Sequence, residues 1–125
     1  MTVKGPEAID PHSTHWRQGI EWFATPEEIV RAHLRLDELA GTTAGRPLRE
    51  ILTANGGVQV TGWKDQAFKG GSDAAVIALS FLAPAAAPGG RRQALVMIGT
   101  GDGPVDEETF VAATGDAARL LAEDR

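Results

Sequence analysis

Phe68-Lys69-Gly70-Gly71-Ser72 is the segment whose residue types best suit chemistry, because it sets a lysine beside two residues that have no side chain. Glycines at a strand end remove bulk and let a ligand or another backbone come close, while an ammonium on that edge offers a point charge for a carboxylate or a proton-transfer network. The same five residues also suit a plain Gly-Gly hairpin turn with a lysine stretched along the surface. Gly99-Thr100-Gly101-Asp102-Gly103 stands between a strand pattern and a helix pattern, where a dinucleotide-binding loop would stand. Pro104 takes the third glycine position, and the preceding strands read as a meander rather than a parallel crossover, so the fingerprint fails. His12 and His15 are three apart in an irregular stretch and His33 falls on a predicted helix, with no cysteine or H-E-x-x-H pattern to complete a metal set. The three are expected as surface or half-buried imidazoles, and neither a metal nor a cofactor is implied. Glu27-Glu28, Asp37-Glu38, Asp106-Glu107-Glu108 and Glu123-Asp124 read as solvated faces or helix caps that complement the macrodipole.

The elements that must position Lys69 follow from pattern and punctuation. Met1 to Phe23 contains Pro6, Pro11, Trp16, Trp22 and Phe23 without a period of 2 or 3.6, so residues 1–24 are expected as an irregular segment pinned by its aromatics. Thr25-Pro26-Glu27-Glu28 supplies an N-cap hydroxyl, a proline at the first helical position and a capping-box glutamate, which predicts a helix over 26–40. A short helix over 47–54 follows and closes the helical part at residue 57. Trp63 to Lys69 predicts a strand, Gly70-Gly71-Ser72-Asp73 a turn, Ala74 to Phe81 a second strand and Gln93 to Ile98 a third. Ala83 to Gly90, rich in Ala, Pro and Gly, reads as a connector. Asp106 is placed to cap a last helix running to residue 123, with Val105 and Phe110 at staple positions and Phe110, Thr114, Ala117 and Leu121 on one face. The expected fold is α+β: a three-stranded antiparallel meander with flanking helices.

Composition bounds the rest. The 125 residues are 42% apolar and 23% charged, enough for one domain with one core. A formal charge of -5, with basic residues scattered apart from Arg91-Arg92, argues against a nucleic-acid partner. The longest apolar run, about ten residues, is half of what a membrane span needs. With no cysteine, disulfides and thiolate chemistry are excluded, and the compartment stays undetermined.

Taken in order, the Thr-Pro-led helix, the short helix ending near Asn55-Gly56-Gly57, the segment Trp63-Lys64-Asp65-Gln66-Ala67-Phe68-Lys69-Gly70-Gly71-Ser72, the apolar strand, the Gly-Arg-Arg loop, the next apolar strand and the helix after Val105-Asp106-Glu107 resemble the C-terminal part of class A β-lactamase-like serine hydrolases. The similarity runs from about Ile20 to Ala122 and looks closest to the branch whose third motif reads Lys-Gly-Gly. The resemblance implies that Lys69 supplies positive charge near the nucleophile and the substrate carboxylate. It implies that Gly70 and Gly71 border the substrate, and that the backbone N–H of Ser72 is one of two oxyanion-hole donors. The hydroxyl that many relatives carry at the middle position is absent at Gly70.

Other parts of the family's machinery are missing. None of Ser13, Ser72 or Ser80 has a lysine three residues on, so S-x-x-K is absent, and Thr61-Gly62-Trp63-Lys64 has the spacing but leads into a strand. Ser72-Asp73-Ala74 is not the second motif, and Glu7 and Glu21 lack the pattern around a deacylating glutamate. The resemblance therefore implies a C-terminal portion that is inactive alone and acts on a small-molecule acyl substrate only when another segment supplies the nucleophile. An open sheet edge and a partly open helix face are expected with it, to be covered by a complementing chain or a homo-oligomer. The alternative is a non-catalytic α+β binding or assembly module, and a third reading is an unrelated enzyme using His12, His15 or Asp102.

Overall fold

The computed structural model describes residues 2–3, 22–54, 58, 60, 63–73, 75–85 and 90–123. The fold is α+β, a three-stranded antiparallel meander with helices on its two faces. In chain order the elements are β1 (Thr2–Val3), β2 (Trp22–Phe23), α1 (Pro26–Ala40), α2 (Arg46–Ala54), β3 (Ala67–Asp73), β4 (Val76–Ala83), β5 (Gln93–Thr100) and α3 (Glu107–Glu123). The expected irregular N-terminal segment needs one correction: β1 and β2 pair antiparallel, Thr2 with Phe23 and Val3 with Trp22. Two-residue strands are too short to write a period into the sequence. Trp16, His12, His15 and the Asn55-Gly56-Gly57 stop lie outside the described residues.

Helix α1 starts as its sequence dictates. The Thr25 hydroxyl accepts the Glu28 backbone N–H at 3.2 Å, and the Glu28 carboxylate accepts the Thr25 N–H at 2.8 Å, so two orphan donors are satisfied reciprocally. Gly45 closes the link to α2 because a side chain there would meet the Leu39 carbonyl oxygen at 1.8 Å. At α3, Asp106 is the cap, its carboxylate accepting the Thr109 N–H at 3.1 Å and the Thr109 hydroxyl at 2.7 Å.

The strand boundaries differ from expectation around the glycines. Gly70, Gly71, Ser72 and Asp73 are strand, paired with Leu79, Ala78, Ile77 and Val76, and the hairpin closes in the two residues between Asp73 and Val76. Trp63 to Gln66 lies before the strand instead of within it, because Asp65 sits at φ 51 and turns the chain. Antiparallel pairing then fixes the faces. Phe68, Gly70 and Ser72 share one face with Ile77, Leu79 and Phe81, while Lys69 and Gly71 share the other with Ala78 and Ser80.

Helix α3 covers the first face, where Val60, Trp63, Phe68, Leu79, Phe81, Ala83 and Ala118 form the buried core. The rings of Phe68 and Phe81 stack at 5.0 Å. Gly99 leaves space for Phe110, whose ring would lie 2.8 Å from an added Cβ. Helix α1 lies on the other face against β4 and β5, and α2 leans on α1 and β3. Asp37 on α1 ties this layer together, pairing with Arg49 of α2 at 3.0 Å and with Arg92, just before β5, at 2.9 Å. Arg92 of the Gly-Arg-Arg loop is thus a clamp between layers.

Candidate functional site

Strand β3 is an edge of the three-stranded sheet, and its backbone groups alternate between facing β4 and facing away from it. A two-residue link makes Asp73 and Val76 a hydrogen-bonded pair, so Gly71 and Lys69 also turn their backbone groups toward β4. Gly70 and Ser72 turn theirs outward. Two contacts agree: the Gly70 carbonyl accepts Lys69 Nζ at 2.6 Å, and just before β4 begins the Ala75 carbonyl, turned toward β5, accepts the Gly101 N–H at 3.0 Å. The Ser72 N–H therefore points out of the sheet edge, with no acceptor among the described residues, about 10 Å along the strand from Lys69.

Lys69 is exposed on the α1 side and forms no ion pair among the described residues. Beside it Gly71 opens onto empty space, with no atom within 4 Å of where a Cβ would stand. Gly70 is different. An added Cβ would lie 2.7 Å from the Phe68 ring and 3.1 Å from Leu79, so the room expected beside the lysine exists at Gly71 and is filled at Gly70.

On the α3 side of the same strand a groove of about 240 Å³ is lined by Phe68, Ile77, Leu79 and Val111, with Ser72 and Glu107 as polar members. The Ser72 side chain faces this groove, and its amide faces the open edge. Lys64, the last residue of the Thr-Gly-Trp-Lys spacing, is exposed ahead of β3 and outside any helix. Ser80 is buried, 6% exposed, and bonded within the sheet. Among the described residues no group of three His, Cys, Asp or Glu could hold a metal ion, and no helix is long and apolar enough to cross a membrane.

The chain matches no protein-family model, no curated protein and no solved structure.

One residue near the site differs from expectation. His33, expected at or near the surface, is 4% exposed, and its Nε2 lies 2.9 Å from Ser80 Oγ. Ser80 Oγ in turn donates to the Lys69 carbonyl at 2.9 Å. Burial pushes the His33 pKa below its ordinary value of 6.5. Two sequence signals could have found this link: His33 falls on the stripe of Ile29, Leu36 and Ala40, and Ser80 is the polar interruption of the longest apolar run.

Proposed function

We propose that the chain is the C-terminal portion of a β-lactamase-like serine hydrolase site, completed by a segment that carries the S-x-x-K nucleophile. In that assembly the incoming serine Oγ attacks an acyl carbonyl and gives up its proton to a base on its own segment. The base returns that proton to the leaving group as its bond to the acyl carbon breaks, and water then hydrolyses the serine ester, releasing the acid and restoring the hydroxyl. The Ser72 N–H stabilises the oxyanion, and the Lys69 ammonium attracts the substrate carboxylate and raises the local positive potential. The observation that carries this reading is the edge itself: an exposed lysine without an ion pair among the described residues, open space at Gly71, and an outward amide at Ser72, all on one strand.

The test is complementation. The chain is co-expressed with an N-terminal segment of a β-lactamase-like hydrolase bearing S-x-x-K and assayed with a chromogenic cephalosporin and a p-nitrophenyl ester. Hydrolysis that appears with the pair and is lost in Lys69→Ala supports the proposal. Hydrolysis indifferent to Lys69, or none with any pairing, overturns it.

A second reading, a non-catalytic assembly module, draws on the other edge. Strand β5 presents eight residues without a charge or a proline, and Ile98 on it is 41% exposed, a template for another strand. This reading predicts self-association without acylation, which sedimentation and intact-mass measurement separate from the first.

A further inference from the structure

We propose that His33 is a positioning residue for the lysine strand, acting through Ser80, and that protonating its imidazole loosens the Lys69–Ser72 edge. Its importance for catalysis rests on the hydrolase reading above; the coupling itself does not.

Ser80 Oγ has one hydrogen and donates it to the Lys69 carbonyl, so toward His33 it can only accept. Nε2 of His33 therefore carries the proton, and the neutral ring is the Nε2–H tautomer. The chain His33 Nε2–H to Ser80 Oγ, then Ser80 Oγ–H to Lys69 C=O, runs from α1 through β4 to β3. It is the only such side-chain link from α1 to the lysine strand among the described hydrogen bonds. Both side chains are more than nine-tenths buried, so water does not substitute for either partner.

Nδ1 of His33 is buried without a partner among the described residues. In the neutral ring this leaves a lone pair unused. In the protonated ring it leaves a charged N–H donor with nothing to accept it, in a place that water does not reach. Among the described residues the charged groups on this side of the sheet are Lys69 and Asp73 on β3, Asp37 on α1, Arg49 on α2 and Arg92 ahead of β5, while β4 contributes only uncharged residues; Asp73 stands opposite Val76 at the hairpin end, four residues along β4 from Ser80. Asp37 is already taken by the two arginines, and burial is the one cause that moves the His33 pKa. No described residue accepts a proton placed on Nδ1, so protonation favours a ring displaced toward water. Moving the ring breaks its bond to Ser80 and frees the hydroxyl that holds the Lys69 carbonyl.

The test is NMR on the full-length chain labelled with 13C and 15N. Long-range proton–nitrogen correlations report the tautomer, and a pH titration follows the His33 ring, the Lys69 carbonyl carbon and the Ser72 N–H together. The expected result is an Nε2–H ring, with the Lys69 and Ser72 signals moving at the midpoint of His33, below 6.5. In Ser80→Ala the ring still titrates and the Lys69 and Ser72 signals stop following it, and Ser80→Thr restores the coupling. An Nδ1–H ring, flat Lys69 and Ser72 signals in the wild-type chain, or coupling that survives in Ser80→Ala overturns the proposal. None of these readouts requires hydrolysis, so failure of complementation and failure of the coupling are separate outcomes.

Discussion

Toward α3 the sheet presents Phe68, Ile77, Leu79 and Phe81, whereas toward α1 it presents Lys69, Gly71, Ala78 and Ser80. The first face is mostly hydrocarbon, packed against Ala118 and Phe110 and open only at the groove beside Ser72 and Val111. The second is joined to its helix by a buried hydrogen bond at its centre and by the Asp37 ion pairs at its margin. Non-directional burial holds the first layer together, and directional bonds set the geometry of the second. That division leaves the lysine on the face where small changes in geometry matter, and it backs the lysine strand with a rigid core.

The largest effect expected is on the apolar face. Phe81 is fully buried against Phe68, and Phe81→Ala should cost about 3–5 kcal/mol by lost transfer and cavity terms, seen as a large drop in the urea midpoint. A loss under about 1 kcal/mol would break the contrast between the faces.

Next comes a pair on one strand. Gly70→Thr drives a side chain into the Phe68 ring and should cost about 1–3 kcal/mol, whereas Gly71→Ser enters empty space and should stay within about 0.5 kcal/mol. Equal losses at the two glycines would contradict the assigned faces.

On the polar face, Ser80→Ala strands the His33 donor and should cost about 1–3 kcal/mol. The pH dependence has a definite sign. The His33 pKa is lower in the folded chain than in the unfolded one, so the unfolded state binds the proton first. Its contribution to stability is fully present above about pH 6.5 and is lost as pH falls toward the folded pKa. Urea titrations between pH 7.5 and 5 should show this fall in the wild-type chain and a flatter profile in His33→Gln.

The smallest effect is at the margin. Asp37→Asn removes two ion pairs whose arginines are partly exposed, and should cost no more than about 1 kcal/mol, shrinking further in high salt.

Much of this architecture was legible in the sequence. The Thr25–Glu28 capping box and the Asp106 cap are local chemistry written in consecutive residues, and both helices start where those residues stand. The Gly70–Asp73 turn misled because paired glycines serve turns and close packing alike, and only the Phe68 ring over Gly70 reveals which use is made of them. The lysine edge was legible as a segment, but which face each residue takes depends on register, and register was fixed by where the hairpin closes. His33 was hidden for a similar reason. A histidine on an apolar stripe and a serine in an apolar strand are each ordinary alone, and only the packing of α1 on β4 makes them partners.

The most direct test of the central claim, that the β3 edge is one side of an acyl-transfer site, is intact-mass spectrometry of the complemented pair after exposure to a slowly hydrolysed β-lactam. The predicted result is one covalent adduct on the serine of the S-x-x-K segment with the wild-type chain, a much reduced yield with Lys69→Ala, and no adduct on the 125-residue chain alone. An adduct on Ser72 or Ser80, or an adduct yield unchanged by Lys69→Ala, would contradict it.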